Sequence, residues 1–268
     1  MKALLFSFIA LASLPGYSFT LNNNFGAAFK SNNVKVTVAG TSACANASIT
    51  PEELKAYIGP AINDFWNTVP TSALKLKNGG FSDSIPNINT GRLCPPTDAD
   101  CISQSGGGGV IPPVKGIVIS CNNNTQNFSN SGNVLAVTVP NNFSRDKITG
   151  AVILINDTPS TIFHTLTRNE QISVIAHEIG HAIGLGHSEN KAALMYYSTV
   201  DYREKLGQDD VDGVSYLYPV KMDGCGLLGM IDETKTPPFF TTLGALALMI
   251  LMNELIRLFK RSKTRSSL

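Results

Sequence analysis

The sequence predicts an α+β fold, on three observations. Five segments have strand character, residues 34–38, 73–77, 116–120, 134–139 and 150–155, and all but the short second one are rich in β-branched and apolar residues. Two segments begin with helix-capping chemistry and continue with apolar residues at helical spacing, one from Thr50 and one from Thr167. A chain of 268 residues, 43% hydrophobic, can hold one sizeable core with short appendages.

Residues 34–38 alternate along a β-branched strand. Thr50-Pro51-Glu52-Glu53 then combines a cap, a proline in the first turn and two acids. This helix is expected to run to about Val69, with Leu54, Ile58, Ile62, Phe65 and Trp66 on its buried stripe and a kink at Gly59-Pro60. Trp66 reads as a core plug. Residues 78–113 read as a long surface loop, flexible at Gly106 to Gly109. No phosphate-loop lysine accompanies those glycines, which argues against nucleotide binding. The later strands are almost continuously apolar, as expected of a sheet covered by helices over part of its area.

The chemistry is concentrated in residues 177–188, which hold three of the four histidines. Thr167-Arg168-Asn169-Glu170 is a capping box that starts the helix carrying them, and Ile172, Ile175, Ile179 and Ile183 would anchor it to the sheet. His177 and His181, four apart, project from one helical face and reach a single metal ion. Glu178 lies toward the same side, placed to hydrogen-bond a metal-bound water without being a ligand. Gly184 can adopt the positive φ that ends a helix, which returns His187 as a third nitrogen. Three histidines with an open fourth position describe a catalytic zinc site, whereas a structural zinc is more often closed by four ligands. The expected cofactor is one Zn2+, and no motif supports Ca2+. His164 reads as an exposed loop histidine, with a substrate-side role as the alternative.

His177-Glu178-x-x-His181-x-x-Gly184-x-x-His187 resembles the zinc motif of the metzincin metallopeptidases. Ser188 and the downstream Ala193-Leu194-Met195-Tyr196 resemble the matrixin branch, the matrix-metalloprotease-like proteins. The resemblance implies that Met195 is the Met-turn residue, a hydrophobic floor under the zinc-binding histidines. The stretch from Gln208-Asp209-Asp210 to Tyr218-Pro219 is similar to the family's closing helix. Extended over residues 34–219, the resemblance implies a metzincin-type domain: a twisted, mostly parallel five-stranded sheet, two long helices including the active-site helix, a Met-turn and a short C-terminal subdomain. It also implies a zinc-dependent endopeptidase in which Glu178 is the general base on a zinc-activated water. Substrate would lie extended along the edge strand at 134–139, beside a specificity wall from about Tyr197 to Leu206.

Three departures from the family pattern stand out. The cysteine-switch segment is absent and little chain precedes Val34 to form a propeptide domain. The second, structural zinc histidines of vertebrate members are missing. Tyr197 stands where matrixins usually carry proline. Astacins and serralysins place a zinc-proximal tyrosine there, so Tyr197 is a candidate fifth ligand or transition-state residue, with a structural role as the alternative. The rival function is a catalytically inactive zinc-binding or adhesive surface module, against which the intact Glu178 argues.

Residues 1–18 read as a signal peptide cut near Ser18, followed by a short N-terminal segment at 19–33. Beyond the peptidase domain come a linker at 220–238, a hydrophobic anchor or sorting helix at 239–260 and a basic tail at 261–268. A helix docked on the domain is the alternative for the hydrophobic segment. The expectation is an exported protein, extracellular or in the cell envelope, with membrane association through its C-terminal helix. Export permits disulfides. Cys94 with Cys101, and Cys44 with Cys121, are candidate pairs whose connectivity the sequence leaves open, and Cys225 is the odd cysteine. A net charge of +1 gives no general pull toward nucleic acid. The expected partners are protein or peptide substrates.

Overall fold

A computed structural model describes residues 19–22, 26–40, 44–96, 98–105, 108–197 and 203–220. The predicted signal peptide, most of the linker, the hydrophobic segment, the basic tail and Cys225 lie outside these residues. Among the described residues, no helix is long and apolar enough to cross a membrane.

Five strands form one sheet in the order β2 (Lys75–Ser82), β1 (Asn33–Ala39), β3 (Gly116–Asn122), β5 (Lys147–Asn156) and β4 (Ala136–Ser144). All neighbours are parallel except the β4–β5 hairpin, so the antiparallel β4 is one edge. Pro140 sits within β4, where an edge tolerates a residue that lacks an N–H.

β3 and β5 carry apolar runs, Ile117–Ile119 and Ala151–Ile155, because both faces of the sheet are buried there. On one face, Val36, Ile117, Ile119 and Ile153 pack with Leu54, Ile58 and Trp66 and with Ile175 and Ile179 of the zinc-motif helix. On the other, Val118, Val152 and Leu154 pack against Ile88, Leu93, Ile111 and Phe128. This second cluster corrects the expectation of a surface excursion at 78–113. The apolar outer face of β3 and β5 would otherwise be exposed, and the connection folds over it. The connection also contains α2 (Ala99–Ser103) and a bridge between Arg92 and Val110. Gly108, beside that bridge, is required by close approach, since a Cβ there would lie 2.5 Å from the Thr90 carbonyl oxygen.

The first helix is segmented. α1 (Pro51–Pro60) begins with a reciprocal capping box between Thr50 and Glu53. Pro60 lacks the N–H that would continue the ladder; after it the chain passes into a π-helical turn, Ala61–Phe65, and a 3-10 turn, Trp66–Thr68. Trp66 is fully buried, as expected of a core plug, and its Nε1–H donates to the Ala176 carbonyl at 2.8 Å. Both candidate disulfides are formed: Cys44–Cys121 ties the loop after β1 to β3, and Cys94–Cys101 closes the α2 loop.

Candidate active site

The site is built on α3 (Arg168–Ala182), which starts with a capping box between Thr167 and Glu170 and buries Ile172, Ile175 and Ile179 against the sheet. Burying each of these side chains is worth about 1.5–3 kcal/mol, so the helix is held firmly while His177 and His181 face a cleft. After α3, Gly184 has φ +113, and a Cβ there would lie 2.5 Å from the Ala27 carbonyl oxygen. Only glycine fits. The chain then reverses and runs antiparallel to residues 20–22. Gly186 N–H donates to the Thr20 carbonyl at 2.8 Å, Asn22 N–H donates to the Gly184 carbonyl at 2.9 Å, and the Thr20 hydroxyl donates to the His187 carbonyl.

This brings the three predicted ligands together. Nε2 of His181 lies 3.1 Å from Nε2 of His177 and 3.2 Å from Nε2 of His187. His177 Nδ1 is 2.7 Å from the Leu194 carbonyl and His181 Nδ1 is 2.8 Å from the Leu185 carbonyl. A carbonyl only accepts, so each Nδ1 carries its ring's proton and each Nε2 of these two rings presents a lone pair. Burial and the neighbouring His177 push the His181 imidazole down to about 3, with the Leu185 carbonyl opposing. Burial and His177 also push His187 down. Imidazole nitrogens that converge in this way, two of them presenting lone pairs to the same point, are a donor set for a borderline cation, and three histidines suit catalytic zinc. The ligand atoms all lie within 4.8 Å of one another. The residues therefore fit the ion that the motif implies.

Met195 is buried beneath α3, where a Cβ on Gly180 would fall 2.3 Å from its Sδ and 2.7 Å from Trp66. Met195 thus packs under the helix that carries His177 and His181. What organises this packing was not read from the sequence. Asp210, at the start of α4 (Gln208–Leu217), accepts the Leu194 N–H at 2.6 Å, the Met195 N–H at 3.0 Å and the Gly207 N–H at 2.8 Å. Burial pushes this carboxyl up while those three N–H groups oppose the shift. Asp209 accepts the Ser188 hydroxyl at 2.6 Å, just after His187. Two adjacent acids heading a helix were visible, but their burial was the informative feature and no local pattern reports burial.

A cleft of about 1010 Å³ runs past the histidines. Its walls are residues 133–138 on the β4 side, Ser173, Val174 and Glu178 of α3, and Leu194, Tyr196, Tyr197 and Arg203 beyond the Met-turn. Glu178 is buried; burial pushes its carboxyl up, while His177 and the Thr138 hydroxyl pull it down. Tyr197 lines the cleft but is 62% exposed, and its ring packs on Tyr196 with centroids 4.7 Å apart. Among the described residues its hydroxyl has no hydrogen bond to the three histidines or Glu178. The middle of the expected wall, 198–202, lies outside the described residues. His164 is exposed on a 3-10 turn, away from the cleft.

A sequence profile of the matrixin peptidases matches residues 119–219, from β3 to just past α4. The chain is 49% identical over 49 residues to stromelysin-2 of Rattus norvegicus, covering 17% of this chain and 10% of that protein. It is 48% identical over 71 residues to metalloendoproteinase 2-MMP of Arabidopsis thaliana, covering 26% and 17%. It is 42% identical over 53 residues to a probable matrix metalloproteinase 095L of Invertebrate iridescent virus 3, covering 20% and 15%. The chain thus spans 10–17% of the length of these relatives.

Proposed function

We propose, from its similarity to the matrixin peptidases, that this chain is a matrixin-like, zinc-dependent endopeptidase acting on proteins or peptides. The observation that carries the reading is the convergence of three imidazoles beside Glu178, on a cleft bordered by an open edge strand. A zinc ion held by His177, His181 and His187 would lower the pKa of a water and polarise a peptide carbonyl. Glu178 supplies the base: its carboxylate takes the proton of the attacking water and passes it to the leaving amine. β4 offers unpaired backbone groups on its outer side, to which an extended substrate adds as a further strand. Tyr196, Tyr197 and Arg203 border the cleft beyond the Met-turn and would shape the adjoining side-chain pocket. Tyr197 would serve as part of that wall, or as the fifth-ligand or transition-state tyrosine that its position after Met195 suggests.

Export is part of the proposal, supported by two disulfides, which persist in oxidising compartments. Retention at a membrane through residues 239–260 rests on their sequence alone. Recovery of the full chain in the soluble fraction of cells would refute retention. The peptidase reading is tested by hydrolysis of casein, with and without a zinc chelator. Chelator-sensitive cleavage is expected; a zinc-loaded chain that leaves casein intact would favour the inactive binding module.

A further inference from the structure

Glu178 is held in place by a residue outside the zinc motif. Thr138, in β4, donates its hydroxyl hydrogen to Glu178 Oε2 at 2.5 Å; the Glu178 main-chain carbonyl is a more distant acceptor at 3.2 Å. A hydroxyl has one proton to give, and the nearer acceptor takes it. Among the described residues, Glu178 makes no other side-chain hydrogen bond. Among the described residues, no buried side-chain oxygen lacks a partner. Oε1 is therefore the oxygen that opens on the cleft Glu178 lines. One carboxylate oxygen is anchored and the other is free to act as base.

The anchor's location gives it a further consequence. On its inner side Thr138 pairs with Ile153 of β5, and β4 is the edge strand to which an extended substrate would add. Glu178 belongs to α3. A single hydroxyl thus ties the base, on the helix, to the strand that sets the register of the scissile bond. We infer that Thr138 is a positioning residue for the peptidase reaction, holding Oε1 of Glu178 at a fixed place relative to that bond. The inference rests on the peptidase reading above. A base misplaced by as little as 1 Å loses much of its effectiveness, and an apolar side chain of threonine's shape would release it.

The test uses the full-length, zinc-loaded chain and a quenched fluorescent peptide. Thr138→Val should lower kcat about tenfold, the equivalent of about 1.4 kcal/mol, with KM within about twofold of wild type. Thr138→Ser, which restores the hydroxyl, should recover most of kcat. A second readout needs no activity. In metal-free protein, the melting-temperature shifts of Thr138→Val and Glu178→Ala should sum to more than the shift of the double variant, because both remove the same bond. Additive shifts, a wild-type kcat for Thr138→Val, or an equal loss for Thr138→Ser would overturn the inference. Wild-type turnover by Glu178→Ala would instead overturn the peptidase reading itself, and with it any base for Thr138 to position.

Discussion

Replacing Asp210 with alanine should both destabilise the domain and weaken its metal centre. The carboxylate is 1% exposed and receives N–H donors from Leu194, Met195 and Gly207. Leaving a buried donor unpaired costs about 1–3 kcal/mol. Gly207 is half-buried and can find water, so the loss is dominated by Leu194 and Met195. The expected total is roughly 3–5 kcal/mol, which at about 2–4 °C per kcal/mol lowers the melting temperature by roughly 6–20 °C. The second effect runs through Leu194, whose N–H is fixed by Asp210 and whose carbonyl orients the His177 ring through Nδ1. Removing such an orienting contact typically costs about 10–100-fold in metal affinity. Thermal unfolding of the metal-free protein followed by circular dichroism reads the first effect, and competition with a chelating dye reads the second. A variant that melts within roughly 2 °C of wild type and binds zinc equally well would refute the reasoning.

Two further substitutions probe the frame of the site. Gly184→Ala places a side chain at φ +113 and within 2.5 Å of the Ala27 carbonyl oxygen, so it should cost at least about 1–3 kcal/mol and loosen the turn that delivers His187; unchanged melting and zinc affinity would contradict this. Replacing Cys44 and Cys121, 77 apart, with alanine should cost about 4.5 kcal/mol by chain entropy, against about 2.4 kcal/mol for Cys94 and Cys101, 7 apart. Urea midpoints should fall in that order, and equal shifts would show that loop length does not govern the effect.

Residues whose roles follow from a local period were legible in the sequence. His177 and His181 are set by the helical repeat, and His187 by the turn whose positive φ Gly184 permits. β3 and β5 declared themselves by continuous apolar runs, because both their faces are covered. The far half of β2 was hidden: Asn78-Gly79-Gly80 reads as a turn, yet the pairing with β1 continues to Ser82 across an irregularity, and a Cβ on Gly79 would lie 2.6 Å from Thr37. The first helix was legible in extent but not in winding, which Pro60 changes. Thr138, Asp210 and Thr20 escaped for a common reason. Each acts through a contact with a residue 15 or more positions away in sequence, and nothing beside them in the chain marks that partner. The apolar frame was readable; the polar contacts that orient its ligands required the fold.

The central claim is that Glu178 performs the chemistry at a zinc site it does not itself hold. The most direct measurement is zinc content and peptide turnover of the full-length Glu178→Ala variant beside wild type. The account predicts one zinc retained per chain and a turnover reduced by about 10²–10⁴-fold or more. Wild-type turnover by a zinc-loaded variant, or loss of the metal along with activity, would contradict it.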